Sequence, residues 1–302
     1  LQSLAANGKL DTLTFTDANP ALSLKASQFS AISALKPKLA AAAINITDTA
    51  ANVTKTNVSG ASTVTIKDSA VNVFKSFDAL HTLVATGPTT TIQLTDKAPA
   101  MTLTAAQYVG STDLRAKLTG VTYTIQDTAE AIANNAQALA GLKISVTDTS
   151  AHVQANLDAL QTFAAAGKLT TLKLTDVSKA TLSMTAQQAL RMGALSGATL
   201  TLKDTAANIQ SNFDALAALK KVGGIELTDT ARPVLQVTEA QYKKGSALLA
   251  KVSGAAVSVQ FSGNASNYKI KTNTDGSFTV GSAIYKNVNF FAFKDVTTFA
   301  DS

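Results

Sequence analysis

The chain has 302 residues, 46% apolar and 15% charged, which is ample for a core and too charge-poor for a disordered tail. It has no cysteine, no tryptophan and two histidines. Disulfides, zinc–thiolate sites and a thiol nucleophile are thereby excluded, and imidazole chemistry has little to draw on. The net charge of +6 comes from scattered Lys and Arg, and no apolar run is long enough to span a bilayer. Dedicated nucleic-acid binding and membrane insertion are not expected.

In chain order, the segment LQSLAANGKLDTLTFTD at 1–17 matches LQTFAAAGKLTTLKLTD at 160–176, so the sequence enters in the middle of a repeat. The expectation from that entry point is a natural chain that continues upstream, because a repeat array needs a polar terminal cap. Nine segments then superpose on a recurrent aspartate: Asp17, Asp48, Asp68, Asp96, Asp127, Asp148, Asp176, Asp204 and Asp229. The residues two and four positions before each are apolar, as in Ile44 and Ile46, and the residue between them is polar, as in Asn45. Such period-two alternation predicts a strand with one buried and one wet face. Asp17, Asp96 and Asp176 lie 79 and 80 residues apart, marking a superperiod of a long, a short and a medium coil. The third copy lacks its short coil, since Asp176 runs straight to the Asp204 segment. Strands a full coil apart predict parallel neighbours.

Two kinds of coil alternate. After Asp68, Asp148 and Asp204 the apolar residues Val73, Phe77, Leu80 and Val84, with Val153, Leu157, Leu160 and Phe163, and Ile209, Phe213, Leu216 and Leu219, form one helical stripe each. The aspartate sits where an N-cap belongs, and Gly87, Gly167 and Gly223 are placed to close the helices. After Asp17, Asp96, Asp176 and Asp229 the segments NPALSLKASQF, APAMTLTAAQY, KATLSMTAQQA and RPVLQVTEAQY predict a turn, a short strand and a helix. The predicted fold is therefore α/β: a repeat solenoid over residues 1–255, parallel strands on one side and helices on the other, as in leucine-rich repeats. From 256 to 302 the pattern breaks. VSVQFSGNASNYKIKTNTDGSFTV predicts alternating strands around a Thr274-Asp275-Gly276 turn, and IYKNVNFFAFKDVTTF adds Phe290, Phe291, Phe293 and Phe299 for a C-terminal antiparallel β cap over the open sheet edge.

The cassette DTAANIQSNFDALAALKKVGGIELTDTARPVLQVTEAQY is similar to repeats of very large type I-secreted surface proteins of alphaproteobacteria, described as calcium-binding or β-strand-repeat proteins. The stretch VQFSGNASNYKIKTNTDGSFTV and the following NVNFFAFKDVTTFADS resemble the end segments that accompany RTX repeats. The resemblance implies a secreted or cell-surface location, an uncleaved export signal within 256–302, an adhesin or S-layer role and calcium. The sequence lacks the GGxGxD nonapeptide of RTX repeats and is basic where they are acidic.

Two surfaces are candidates for binding. Stacked aspartates would repel one another unless neutralised, either by N-capping amides and Thr hydroxyls or by a row of calcium ions, for which Asp48, Asp68, Asp127, Asp148 and Asp204 are the candidate ligands. The wet sheet face is rich in threonine, with Thr65, Thr91, Thr124, Thr171 and Thr201 among others, and such a face could hold a glycan or ice. Threonine is also simply a good polar strand former. His81 and His152 have no second ligand at i+4, and Asp78, Asp158 and Asp214 recur as part of the repeat rather than as an acid–base pair. No GxSxG, HExxH, P-loop or Rossmann fingerprint occurs, so no catalytic residue is assigned. The functional expectation is a non-enzymatic extracellular structural protein of a bacterial surface layer, fibre or adhesin. It would act by self-association and bear on cell-surface polysaccharide; the alternative is a glycan- or ice-binding module.

Overall fold

The computed structural model describes residues 1–39, 41–176, 180–230, 233–295 and 297–299. The chain forms two compact units, residues 1–126 with 137–143, and residues 127–136 with 144–302. In the first unit, β1 (Ala21–Leu24), β2 (Ala43–Asp48), β3 (Thr63–Asp68) and β4 (Thr89–Leu94) form a four-stranded sheet in chain order with every pair parallel. After the turn from Thr95 to Pro99 a new parallel pair begins, β5 (Ala100–Leu103) on β6 (Thr122–Asp127).

The second unit repeats the scheme. The paired part of β7 (Lys143–Asp148) lies parallel to β8 (Leu169–Leu174). β9 (Thr181–Met184), β10 (Thr199–Asp204) and β11 (Val222–Leu227) form the next parallel sheet, in which β10 is the only strand between the two, as the missing short coil requires. β12 (Val234–Thr238) opens another column, while β13 (Val252–Ser253) extends the sheet of β11. β14 (Ala256–Gln260) runs parallel to β12. β15 (Ile270–Thr272), β16 (Phe278–Val280) and β17 (Ala283–Tyr285) then make a separate three-stranded antiparallel sheet. β18 (Phe290–Ala292) pairs parallel with β14, and β19 (Thr297–Phe299) pairs antiparallel with β18.

The alternation of apolar and polar residues does what the pleat demands. In β2, β3 and β10 the first apolar position is nearly inaccessible and the second fully so, with Ile46, Ile66 and Leu202 at 0% exposure. Each such side chain contributes about 1.5–3 kcal/mol on leaving water. The helices supply the facing layer: Val53, Val73, Val153 and Ile209 are all buried.

Five expectations are revised. Leu13–Phe15, aligned as a strand, forms none, whereas its equivalents β4 and β8 each pair with the strand of the coil before. The helical stripes are not single helices. Ala70–Lys75 breaks from Phe77–Thr86 at Ser76, Ser150–Ala155 from Leu157–Ala165 at Asn156, and Ala206–Ser211 from Phe213–Ala217 at Asn212. The Asn156 and Asn212 side chains donate back to the carbonyls of His152 and Asn208, the local competition by which Asn disfavours a helix interior. Of the stripe residues, Val84 and Leu219 are only half-buried. Gly223 does not close a helix: it lies in β11, at a register shift, where a Cβ would stand 2.6 Å from Thr199 Cγ2. Finally, the region after 256 is not wholly an antiparallel cap, because β14 and β18 continue the parallel pairing begun by β12.

The Thr274-Asp275-Gly276 turn does join an antiparallel hairpin, with Gly276 at φ 77° between β15 and β16. Phe291 and Phe293 are buried beside Phe261 and Tyr285, whereas Phe290 is half-exposed. Lys179 and Arg232, at the heads of two expected turn–strand segments, and residues 300–302 lie outside the described residues.

Candidate functional site

The recurrent aspartate proves to be a link between coils. The N-cap of each helix that follows it is the next residue, Thr49, Ser69, Thr128, Thr149 or Thr205, whose hydroxyl accepts the amide three positions on. The aspartate stays at the end of its strand, as do Asp48, Asp68, Asp148 and Asp204, or two residues past it, as do Asp96, Asp176 and Asp229, and reaches the helix of the preceding coil. Ala26 N–H donates to Asp48 at 3.0 Å, Ala50 to Asp68 at 3.0 Å, Ala70 to Asp96 at 2.6 Å and Ala129 to Asp148 at 3.0 Å. Ser150 does so to Asp176 at 2.9 Å, Ala186 to Asp204 at 3.0 Å and Ala206 to Asp229 at 2.8 Å. The donor in every case is the first helical residue, whose N–H no intrahelical carbonyl can satisfy. Asp-Thr-Ala thus decodes residue by residue: a carboxylate for the neighbouring coil, a cap for its own helix, and a small residue whose amide the next carboxylate can approach. The assignment of the aspartate itself as N-cap fails because the cap must leave the strand, and only the following residue does.

The other carboxylate oxygen serves its own coil. In Asp48 it accepts Thr49 N–H at 2.8 Å and Asn52 Nδ2 at 2.9 Å; in Asp68 it accepts Ser69 N–H at 2.9 Å and Asn72 Nδ2 at 2.8 Å; Asp204 accepts Thr205 N–H and Asn208 Nδ2 likewise. In Asp148 the fourth-following residue is His152, whose Nδ1 lies 2.8 Å from Oδ1. Asp127 accepts Thr128 N–H at 2.8 Å. Asp48, Asp68, Asp148 and Asp204 are each under a tenth exposed. Burial alone would push the Asp48 carboxyl up, but the bonds from Asn52, Thr49 and Ala26 and the nearby Lys25 hold it below the usual carboxylate range. Burial also opposes ionisation of Asp148, and the bonds from Thr149, His152 and Ala129 outweigh it. The repulsion expected of stacked carboxylates is answered by amides. Among the described residues no three His, Asp or Glu side chains gather in a group that could hold a metal ion.

No family model matches the chain, and neither does any curated protein or solved structure.

The second recurrent acid is also a link. Asp78 accepts Gln107 Nε2 at 3.1 Å and Asp158 accepts Gln188 Nε2 at 2.8 Å, each from the coil that follows. Those glutamines are simultaneously members of capping boxes, with Thr104 and Thr185 as partners. The spacing of Asp and Gln from different coils, some 30 residues apart, carries no local periodicity by which sequence reasoning finds the pair.

The threonines expected on the wet face occupy it, but in separate short rows. In the first unit Thr47, Thr65 and Thr91 stand in register across β2, β3 and β4, with Thr63 opposite Thr89 and Lys67 opposite Gln93. Thr124 pairs with Thr102, Thr171 with Ser145, and Thr201 with Ser183 and Gly224. The row of Thr47, Thr65 and Thr91 brings three threonines side by side, and the strands from β5 on belong to other sheets. His81 is half-buried and His152 is largely exposed.

Proposed function

We propose that this chain is a non-enzymatic extracellular structural protein of a bacterial surface layer, fibre or adhesin, whose coils stack as an α/β solenoid and which works by self-association. The observation that carries this reading is the use of the recurrent acids. Seven of the recurrent aspartates and two helix aspartates each hold a donor of a neighbouring coil. A repeat whose charged side chains are committed to coil-to-coil bonds is suited to a stiff rod. Unlike ends that meet head to tail give open filaments or sheets. Negative-stain imaging and sedimentation of the purified chain, with calcium and with chelator, test it. Ordered oligomers or fibres are expected, and strictly monomeric protein at high concentration under both conditions overturns the reading.

A second reading rests on the Thr47, Thr65 and Thr91 row, an in-register set of hydroxyls and methyls that could hold a glycan or ice. Thr65→Lys with Thr91→Lys should abolish retention on polysaccharide, or ice shaping, while leaving circular dichroism unchanged; retention by the double variant removes this reading.

A further inference from the structure

At the start of β9 and β12 the chain exposes the outer edge of a strand to the helix of the preceding coil, and the two places are treated differently. In β9, Gln154 of helix Ser150–Ala155 closes the edge: its Oε1 accepts Ser183 N–H at 2.7 Å and its Nε2 donates to the Ser183 carbonyl at 3.0 Å. The repeat places Gln210 and Gln236 in the same positions, and there the bond is not made. The Gln210 side chain has no hydrogen bond among the described residues. Both glutamine side chains line a groove of about 780 Å³. Its floor is made of the small residues Gly254, Ala256 and Ser258, and its walls include Gln210 and Gln236 on one side and Asn289 and Phe290 on the other. The register explains the shape: Ser258 on β14 stands between Gln236 on β12 and Phe290 on β18, a short side chain between two long ones.

The groove also carries unused hydrogen-bonding capacity. Ser258 is 4% exposed as a residue, and its hydroxyl, which makes no hydrogen bond among the described residues, is not one of the buried unpartnered polar atoms and so opens into the groove. Asn289 uses its Oδ1 to accept Val257 N–H and leaves its Nδ2 donors uncommitted; Gln236 donates to Gln260 and leaves its Oε1 as an acceptor. None of the described lining residues is charged.

We propose that this groove is a binding site for a neutral saccharide. Amides and a hydroxyl that converge without a charge match vicinal sugar hydroxyls, which both donate and accept, and the Val234 and Phe290 flanks suit the apolar face of a pyranose ring. A peptide would need side-chain pockets of alternating character, which this floor of small residues does not offer. The proposal is independent of the Thr47, Thr65 and Thr91 surface and of self-association.

The test is a titration of the full chain with maltotriose, cellotriose, chitotriose and mannotriose, read by amide chemical shifts and calorimetry. A charged oligogalacturonate and an acetylated Gly-Ser peptide are the comparison ligands. At least one neutral trisaccharide should shift residues 233–236, 254–258 and 289–290 with a dissociation constant below about 1 mM. Gln210→Ala and Ser258→Val should each weaken it about tenfold or more, while Gln154→Ala, at the closed equivalent, leaves it unchanged. Absence of shifts with all four sugars at about 10 mM, equal binding by the Gln210→Ala and Ser258→Val variants, or preference for the peptide or the charged sugar overturns the proposal. Because Ser258→Val enlarges a buried residue, Gln210→Ala at an exposed one keeps the test decisive if the former folds poorly.

Discussion

Replacing Asp48 by alanine is the sharpest probe of how the coils are joined. Three donors lose their acceptor: Thr49 N–H, Asn52 Nδ2 and Ala26 N–H. Thr49 and Asn52 are exposed and can turn to water, so their loss costs about 1 kcal/mol together. Ala26 is 0% exposed, and its stranded amide costs about 1–3 kcal/mol more. The expected total is about 3 kcal/mol. Asp229→Ala is the control, because Asp229 is exposed and its partner Ala206 half-buried, and it should cost about 1 kcal/mol or less. Urea unfolding followed by circular dichroism measures both, and hydrogen exchange at the Ala26 amide localises the effect, since a repeat fails first at its weakened interface. Equal losses for the two variants, or unchanged exchange at Ala26 in Asp48→Ala, would refute the argument that buried inter-coil bonds carry the stability.

The acid side of the stability profile follows from the same bonds. The carboxyls of Asp48 and Asp148 are lowered in the folded state, so their contribution is fully present above the ordinary aspartate value of about 3.9 and disappears as pH falls through the lowered folded values. Urea midpoints from pH 7 down to the onset of acid unfolding should drop in that range, and Asp48→Asn with Asp148→Asn should flatten the drop. His152 occupies the position that is Asn52, Asn72 and Asn208 in other coils. His152→Asn should therefore be neutral in thermal unfolding and His152→Ala mildly destabilising, by about 0.5–1 kcal/mol given its exposure. Gly245 lies against Phe213, where a Cβ would meet ring carbons at 2.4 and 2.6 Å. Gly245→Ala should lower the unfolding free energy from urea titration by about 1–3 kcal/mol, and Phe213→Leu in the same chain should recover part of it. Gln154→Ala opens the β9 edge, and the variant should aggregate faster than wild type in light scattering on warming.

Much of the fold was legible because local rules and tertiary rules coincide in a repeat. The alternation at Ile44 and Ile46 fixes which face of β2 is buried, and a full coil between such strands leaves parallel pairing as the economical arrangement. The Asp-Thr-Ala triplets were visible as a column, but what each residue does was decided by the neighbouring coil. A carboxylate at a strand end and a hydroxyl at the next position are both plausible caps in one dimension, and only stacking brings the free amide of Ala26 to Asp48. The breaks at Ser76, Asn156 and Asn212 escaped because an apolar stripe survives a local kink. Likewise, the restart of the sheet at β5, β9 and β12 depends on which strand finds a partner, which no window of sequence contains. The groove beside Ser258 is the furthest from sequence: its lining comes from a helix and three strands spread between Gln210 and Phe290, which only the tertiary structure brings together.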